Sequence, residues 1–251
     1  MISAVVLSKN EEKNLEKCLG SIKWCNEVIV IDDLSCDRTV EIAKRFTQKV
    51  FIRPLNNDFA SQRNFGLEKA TGDWILFVDA DEEITEKLKE EIISKLKNTQ
   101  KAGFYFKRRD YILGRWLKYG ETSSVRLLRL AKKDQGTWER KVDEKWVVGD
   151  MGKVGELREP ILHYSHSELK GFFESINNYS TLNAESFYLE RKINSFLDWF
   201  KPLGKFLQNY FFHLGFLDGT QGFIFATLMS FHSYLVRGKL YLLWKRGGGW
   251  H

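Results

Sequence analysis

At 251 residues, 43% hydrophobic and 29% charged, the chain is long enough for one large folded domain with an appendage and is too apolar to be disordered. Three prolines and no Ser- or Pro-rich tract exclude a long flexible linker, and no internal repeat is present. A net charge of +6 points to an anionic partner: a nucleotide, a nucleic acid or a lipid headgroup.

The opening MISAVVLSKNEE starts its apolar run at once and ends it early, which is not the layout of a signal peptide. Continuous apolar runs at Ile2–Ser8, Glu27–Asp32 and Trp74–Asp79 predict strands buried on both faces, with a weaker one at 49–52. Helices are predicted between and after them, over 12–22, 39–45, 61–69 and 85–96. Asp37 and Asp58 sit where N-caps belong, and Gly72 stands as a stop. This alternation implies a right-handed, mostly parallel α/β sheet. Cys18, Cys25 and Cys36 are odd in number and match no metal or redox spacing, so free thiols are expected, as in a cytoplasmic protein; Cys18 shares a helical face with Leu15, Leu19 and Ile22.

Ligands of open parallel sheets bind beyond the carboxyl ends of the strands, here SKNEE, DDLSCD and DADEE. Asp79 and Asp81 are separated by one residue at a strand end, so alternation would turn both into one space, suited to Mg²⁺ or Mn²⁺ with phosphate oxygens. Glu82 could support them, and Glu83 is expected to open the next helix. A nucleotide diphosphate also needs a cation, for which Arg63 in SQRNFG is placed. Its base needs an acceptor (Asp32 or Asp33), and its ribose another (Glu11). The first loop, SKNEEKN, has no glycine, unlike that of most nucleotidyltransferases.

VVLSKNEEKNLEKCLGSI, VIVIDDLSCDRT and ASQRNFGLEKATGDWILFVDADE together resemble the nucleotide-binding half of the family 2 glycosyltransferases. The resemblance implies a GT-A type, Rossmann-like nucleotide-diphospho-sugar transferase fold and an inverting, metal-dependent reaction. It adds Ser8, Asn10 and Ala80 to the nucleotide-sugar site and makes Asp79 and Asp81 positioners of the ribose and metal. YILGRWLKYG, VRLLRL, VDEKW, VGELREPILHYSH, NNYSTLNAE and FLQNYFFHLGFLDGTQGF resemble the lipopolysaccharide-core β-glucosyltransferase branch. That branch implies transfer from a UDP-sugar or similar donor to a lipid-linked saccharide at the inner face of the cytoplasmic membrane. Many of its members carry His-Glu where this chain has Asp143-Glu144, which leaves Glu144 first and Asp143 second as the base. His163, before His166 in ILHYSH, is the candidate third metal ligand, with a hydrogen-bonded core histidine as the other reading.

After strands at 103–114 and 124–130 and a helix over 169–189, the last quarter becomes aromatic and basic. From Glu185 it holds eight basic and four acidic residues, +4 of the total +6. The uncharged segment 219–236 approaches the ~20 residues of a membrane span. Its polar residues favour amphipathic helices at an anionic membrane surface, the other reading being a packing layer or dimer face. The chain is thus expected to divide into a donor domain, 1–168, and a helical extension, 169–251, with no nucleic-acid partner. A polyprenyl-phosphate transferase and a non-catalytic nucleotide-sugar-binding protein are the rival readings.

Overall fold

The apolar runs become strands and the stretches between them helices, in the order β1 (Ile2–Ser8), α1 (Leu15–Ser21), β2 (Glu27–Asp32), α2 (Thr39–Phe46), β3 (Val50–Ile52), α3 (Phe59–Lys69) and β4 (Trp74–Asp79). There follow β5 (Glu82–Glu83), α4 (Glu86–Leu96), β6 (Gly103–Ile112), β7 (Arg115–Trp116), β8 (Arg126–Lys132), β9 (Gly136–Glu139) and β10 (Lys145–Val148). β11 (Val154–Glu156), β12 (Ile161–His166), α5 (Leu169–Leu189), α6 (Lys201–Leu207) and α7 (Gly219–Arg246) complete the chain. The structure, a computed structural model, describes residues 1–141, 144–149, 153–166 and 168–246.

Strands β3-β2-β1-β4 pair in parallel in that order, and β8 then β6 continue the sheet antiparallel. β1 shows why the runs read as doubly buried. Ala4 and Val6 pack with Leu15, Cys18 and Leu19 on one face, while Val5 packs with Ala60 and Leu67 on the other. Among the described residues the cysteines are free, Cys18 and Cys25 buried and Cys36 exposed.

Local signals were mostly right about element type and less so about their ends. Asp58 caps α3, accepting from Ser61 N at 2.8 Å. Asp37 does not cap α2; Arg38 takes that position, and Asp37 instead accepts from Thr39 N at 2.9 Å. Glu83 does not open α4: it lies in β5, paired with β12, and Thr85 caps the helix by accepting from Leu88 N. Gly72 is required for closeness rather than termination, since a Cβ there would lie 2.9 Å from Met1 O.

Gly72 belongs to a buried network at the amino ends of the strands. Its N–H donates to Ser3 Oγ, and Ser3 Oγ donates to Glu27, which also accepts from Lys49 and from Thr71 N at 2.8 Å. Burial alone would raise the Glu27 carboxyl, but Lys49, Ser3 and Thr71 more than reverse this and hold it at about 2 instead of 4.5. The depressed value contributes stability that is complete above the unfolded-state value near 4.5 and is lost as pH falls towards 2. Glu27→Gln is therefore expected to lower stability by about 2 kcal/mol at pH 7. Urea titrations should show the gap closing below pH 4; a gap unchanged at pH 3 would rule this account out.

The chain forms two units, and their boundary departs from the single cut expected at 168/169. The first holds Met1–Arg109 and Val125–Tyr164; the second holds Ser165–His251 and also Asp110–Ser124. The reason lies in main-chain bonds that a sequence does not display. Asp218, 1% exposed, accepts from Lys118 N and Tyr119 N at 3.0 and 2.8 Å, and Asn209 Oδ1 accepts from Glu121 N at 2.8 Å. In this unit Phe172 and Ile176 of α5 pack with Phe225 and Leu228 of α7, which contains the segment 219–236. Among the described residues no helix is long and apolar enough to cross a membrane.

Candidate active site

Parallel pairing brings Ser8 level with Asp32 and Leu7 level with Asp79, so the carboxyl ends of β1, β2 and β4 share one edge. Much of the polar chemistry there is internal. Ser8 Oγ donates to Asp32 at 3.1 Å, and Asp32 also accepts from Ser35 N and Oγ at 2.8 and 2.5 Å, which shapes the loop after β2. Asp33 pairs with Lys9 at 2.6 Å and accepts from Leu55 N at 2.8 Å. Asn10, at φ 54°, accepts from Cys36 N at 2.9 Å and ties the two loops together. Between the two candidates for base recognition, Asp32 is the more deeply committed to the fold.

Helix α3 supplies four consecutive polar residues that hold different walls of the site. It lies tightly on the sheet because residue 66 is glycine: a Cβ would come within 2.5 Å of Val5 Cγ1. Ser61 accepts from Arg53 Nη2 at 2.7 Å, and Gln62 Nε2 donates to Arg53 O at 2.8 Å, which fixes the chain after β3. Arg63 Nη2 donates to Asp79 Oδ1 at 2.9 Å and its Nε to Glu144 Oε1 at 2.8 Å. Asn64 holds Trp138 by both main-chain groups, accepting from its N–H at 2.9 Å and donating to its C=O at 2.8 Å.

Asp79 and Asp81 take different hydrogen-bonding partners, although the charge of Asp79 still acts on Asp81. β4 ends at Asp79 and the chain turns through Ala80, which is buried, so strand alternation stops before Asp81. Asp79 is clamped by two guanidinium groups, those of Arg63 and Arg129, of which Arg129 Nη2 also lies 3.4 Å from Glu82 Oε1. Burial would raise the Asp79 carboxyl, yet Arg129 and then Arg63 hold it well below the usual carboxylate range. Glu82, fully buried, accepts from Asp79 N at 2.9 Å and is pushed up by burial against the pull of Arg129.

Asp81 faces another group. His163 Nε2 stands 3.2 Å from Asp81 Oδ2, on β12 where Tyr164 N donates to Asp81 O at 2.8 Å. Burial raises the Asp81 carboxyl, but His163 outweighs it and the net direction is down. Glu11 is raised to about 7, first by burial and then by the negative charge of Asp81. Glu11 and Asp81 are thus near enough to act on each other, while Asp79 is held by two guanidinium groups. Among the described residues no cluster of three His, Cys, Asp or Glu side chains is arranged to hold a metal unaided. Asp81 and His163 nevertheless suit Mg²⁺ or Mn²⁺, which usually take one or two protein ligands and complete their shell with substrate phosphates and water.

The β9–β10 hairpin carries Glu144, which is partly exposed, at the end of its connecting loop. Asp143 lies outside the described residues, as does the side chain of His166. Trp138 and Trp146, opposite each other across the hairpin, stack with ring centroids 5.5 Å apart, and Phe77 meets each edge-on at 5.0 and 5.1 Å. Arg63 lies 4.7 Å from the Trp138 ring centroid. Of these groups, sequence reading missed Arg129, Asn64 and the two tryptophans. Arg129 left one trace: an arginine amid the apolar residues of VRLLRL must find an acid if it is buried.

The model for glycosyl transferase family 2 matches residues 3–147. Over 250 residues, covering 96% of this chain and 92% of the relative, the sequence is 28% identical to the lipopolysaccharide core biosynthesis glycosyltransferase LpsC of Rhizobium meliloti (strain 1021). It is 27% identical over 252 residues to an uncharacterized glycosyltransferase of Rickettsia felis, covering 95% and 89% of the two chains. The crystal structure of S. aureus TarS 1–349 in complex with UDP has the same fold, with a TM-score of 0.51 at 15% identity, covering 100% of this chain and 92% of that one.

Proposed function

The chain belongs to glycosyl transferase family 2, and on that premise we propose that it transfers a hexose from a uridine diphosphate donor to a lipid-linked saccharide, with inversion at the anomeric carbon. The observation that carries this reading is the double engagement of Arg63. One guanidinium holds Asp79, at the carboxyl edge of the parallel sheet, and Glu144, the candidate base. Donor and acceptor chemistry thereby meet on a single rigid side chain. The kinship with a lipopolysaccharide core enzyme supports the acceptor class, and the UDP in the TarS complex supports the nucleotide.

In this reaction the acceptor hydroxyl attacks the anomeric carbon from the face opposite the diphosphate. The C–O bond to the diphosphate breaks, and the acceptor proton passes to Glu144. Asp81 and His163 would hold a divalent cation, with Glu11 acting electrostatically on Asp81, and such a cation would supply neutralisation of the charge on the departing diphosphate. Asp79, held by Arg63 and Arg129, serves as an ordered acceptor for the donor's ribose, and Asp33 for its base. Ser8, Asn10 and Asp32 contribute by fixing the loops around that pocket, and Ala80 by keeping the turn into Asp81 compact.

Attachment to an anionic membrane surface completes the proposal, because the acceptor resides there. Its support is a run of exposed apolar residues in the second unit, Phe196 and Phe212 being 78% and 79% exposed, beside Lys201 and Lys205, which pair with Asp198 and Glu121. Such a combination suits the headgroup boundary. The segment 219–236 is not the prime candidate, since α7 turns Gly222, Phe225, Ala226 and Leu228 inward.

A thermal-shift panel of nucleotide sugars with and without Mn²⁺ tests the site. A UDP-hexose is expected to raise Tm, and Mn²⁺ to enlarge the shift; no response to any donor, with or without metal, would end the proposal. Its companion arm is co-sedimentation with anionic vesicles, where a chain left wholly in the supernatant would remove the membrane component.

A further inference from the structure

The hairpin that carries Glu144 is a two-stranded sheet of four residues a side, and such a ribbon is marginal on its own. It must be held from outside. The tryptophan pair supplies depth, burying both rings against Phe77, but stacked rings resist sliding poorly. The register is set elsewhere. Asn64 takes both the N–H and the C=O of Trp138, at 2.9 and 2.8 Å, so its amide stands where a neighbouring strand would. This leaves Trp138 and Trp146 as a non-hydrogen-bonded cross-strand pair, the kind whose side chains approach closest. A second tie lies beyond the far end of β9, where Phe59 N donates to Lys141 O at 3.0 Å.

Both ties come from α3, as does the arginine that meets the Glu144 carboxylate. The helix itself cannot shift, because its Gly66 sits against Val5 and Ile31. We infer that Asn64 is a positioning residue for transfer: it locks the β9–β10 hairpin to α3 and thereby delivers the Glu144 carboxylate to Arg63 and to the acceptor hydroxyl. The inference rests on Glu144 being the base, as proposed above. A one-residue slip of β9 would turn Trp138 out of the core and carry the loop with it. Even a displacement near 1 Å can cost about 10²-fold in rate.

The test is a kinetic double-mutant cycle on the full chain, with Asn64→Ser and Asn64→Asp each made alone and with Glu144→Gln. Serine shortens the tie; aspartate keeps the acceptor for Trp138 N–H and removes the donor to its C=O. Each single Asn64 variant is expected to lose about 10²-fold in kcat, with the donor KM within about threefold of the original. Combined with Glu144→Gln, either is expected to cost less than threefold more, because the residue acts through a carboxylate already removed. Hydrogen exchange should quicken in the 136–148 peptide while the β1 and β4 peptides keep their protection.

Equal fold-losses in both backgrounds would overturn the inference, as would a raised donor KM with kcat preserved. So would global unfolding of both Asn64 variants, which would make the residue a general part of the core. Near-normal turnover of Glu144→Gln alone would instead defeat the assignment of the base. The two failures are therefore separable.

Discussion

Turnover of the E144Q variant falls about 10³-fold, within the range for loss of a general base, while donor KM and thermal stability stay close to those of the unaltered protein. The expectation follows from what the substitution leaves in place. Glutamine keeps the length and an acceptor oxygen for Arg63 Nε, now 2.8 Å from Glu144 Oε1. Arg63 retains its bond to Asp79, and the stacked tryptophans still anchor the hairpin. Only the ability to take a proton disappears. Because that ability is used in the chemical step alone, kcat and kcat/KM should fall together. D143N serves as the comparison, and its loss should stay below tenfold. E144Q turning over within threefold of normal, with the fold intact, would remove Glu144 from the reaction. A collapse of D143N instead would transfer the role to its neighbour.

What could be read from the sequence, and what could not, follows from the range of the interactions involved. β1, β2 and β4 occupy the spans their apolar runs give, because a strand buried on both faces writes its burial into every residue. Capping is local too, which is why Asp58 could be recognised. Asp37 failed because its carboxylate found Thr39 from just outside the helix, a choice made by geometry within two residues. Glu83 failed for the opposite reason: β12, some eighty residues away, recruits it into a sheet. The same distance hid Asn64. In SQRNFG it is one more polar residue, and its partner Trp138 is identifiable only once the hairpin has folded onto α3. D-x-D spacing was informative about location and silent about partners. The strand ends at Asp79 and the chain turns at Ala80, so Asp79 takes Arg129 and Asp81 takes His163, partners that the spacing does not name.

Arg129→Met is expected to cost 3–5 kcal/mol, roughly the effect of breaking a buried ion pair by removing one partner. Arg129 is 5% exposed, and its guanidinium serves Asp79 and Glu82 together. Methionine fills much of the volume, so packing alone should change little. What is lost is the charge. Asp79 would keep only Arg63, and Glu82, already raised by burial, would be left without its cation. At about 2–4 °C per kcal/mol for a chain of this size, Tm should drop by about 10 °C at pH 7.5. The pH dependence then separates charge from packing. With Arg129 present, Asp79 is depressed and stabilises the fold above its unfolded value, losing that contribution as pH falls. With Arg129 gone, Glu82, which burial already raises, rises further and Asp79 loses the larger of its two arginine partners, so lowering the pH protonates Glu82 and relieves the variant. The difference in stability should therefore narrow by at least half between pH 7.5 and pH 5. Arg129→Lys, which restores a point charge but not the planar fork, should recover only part of the loss. A stability difference that stays constant across this pH range would mean that Arg129 fills space, and the two-arginine clamp on Asp79 would have to be abandoned as the reason this strand end tolerates its acids.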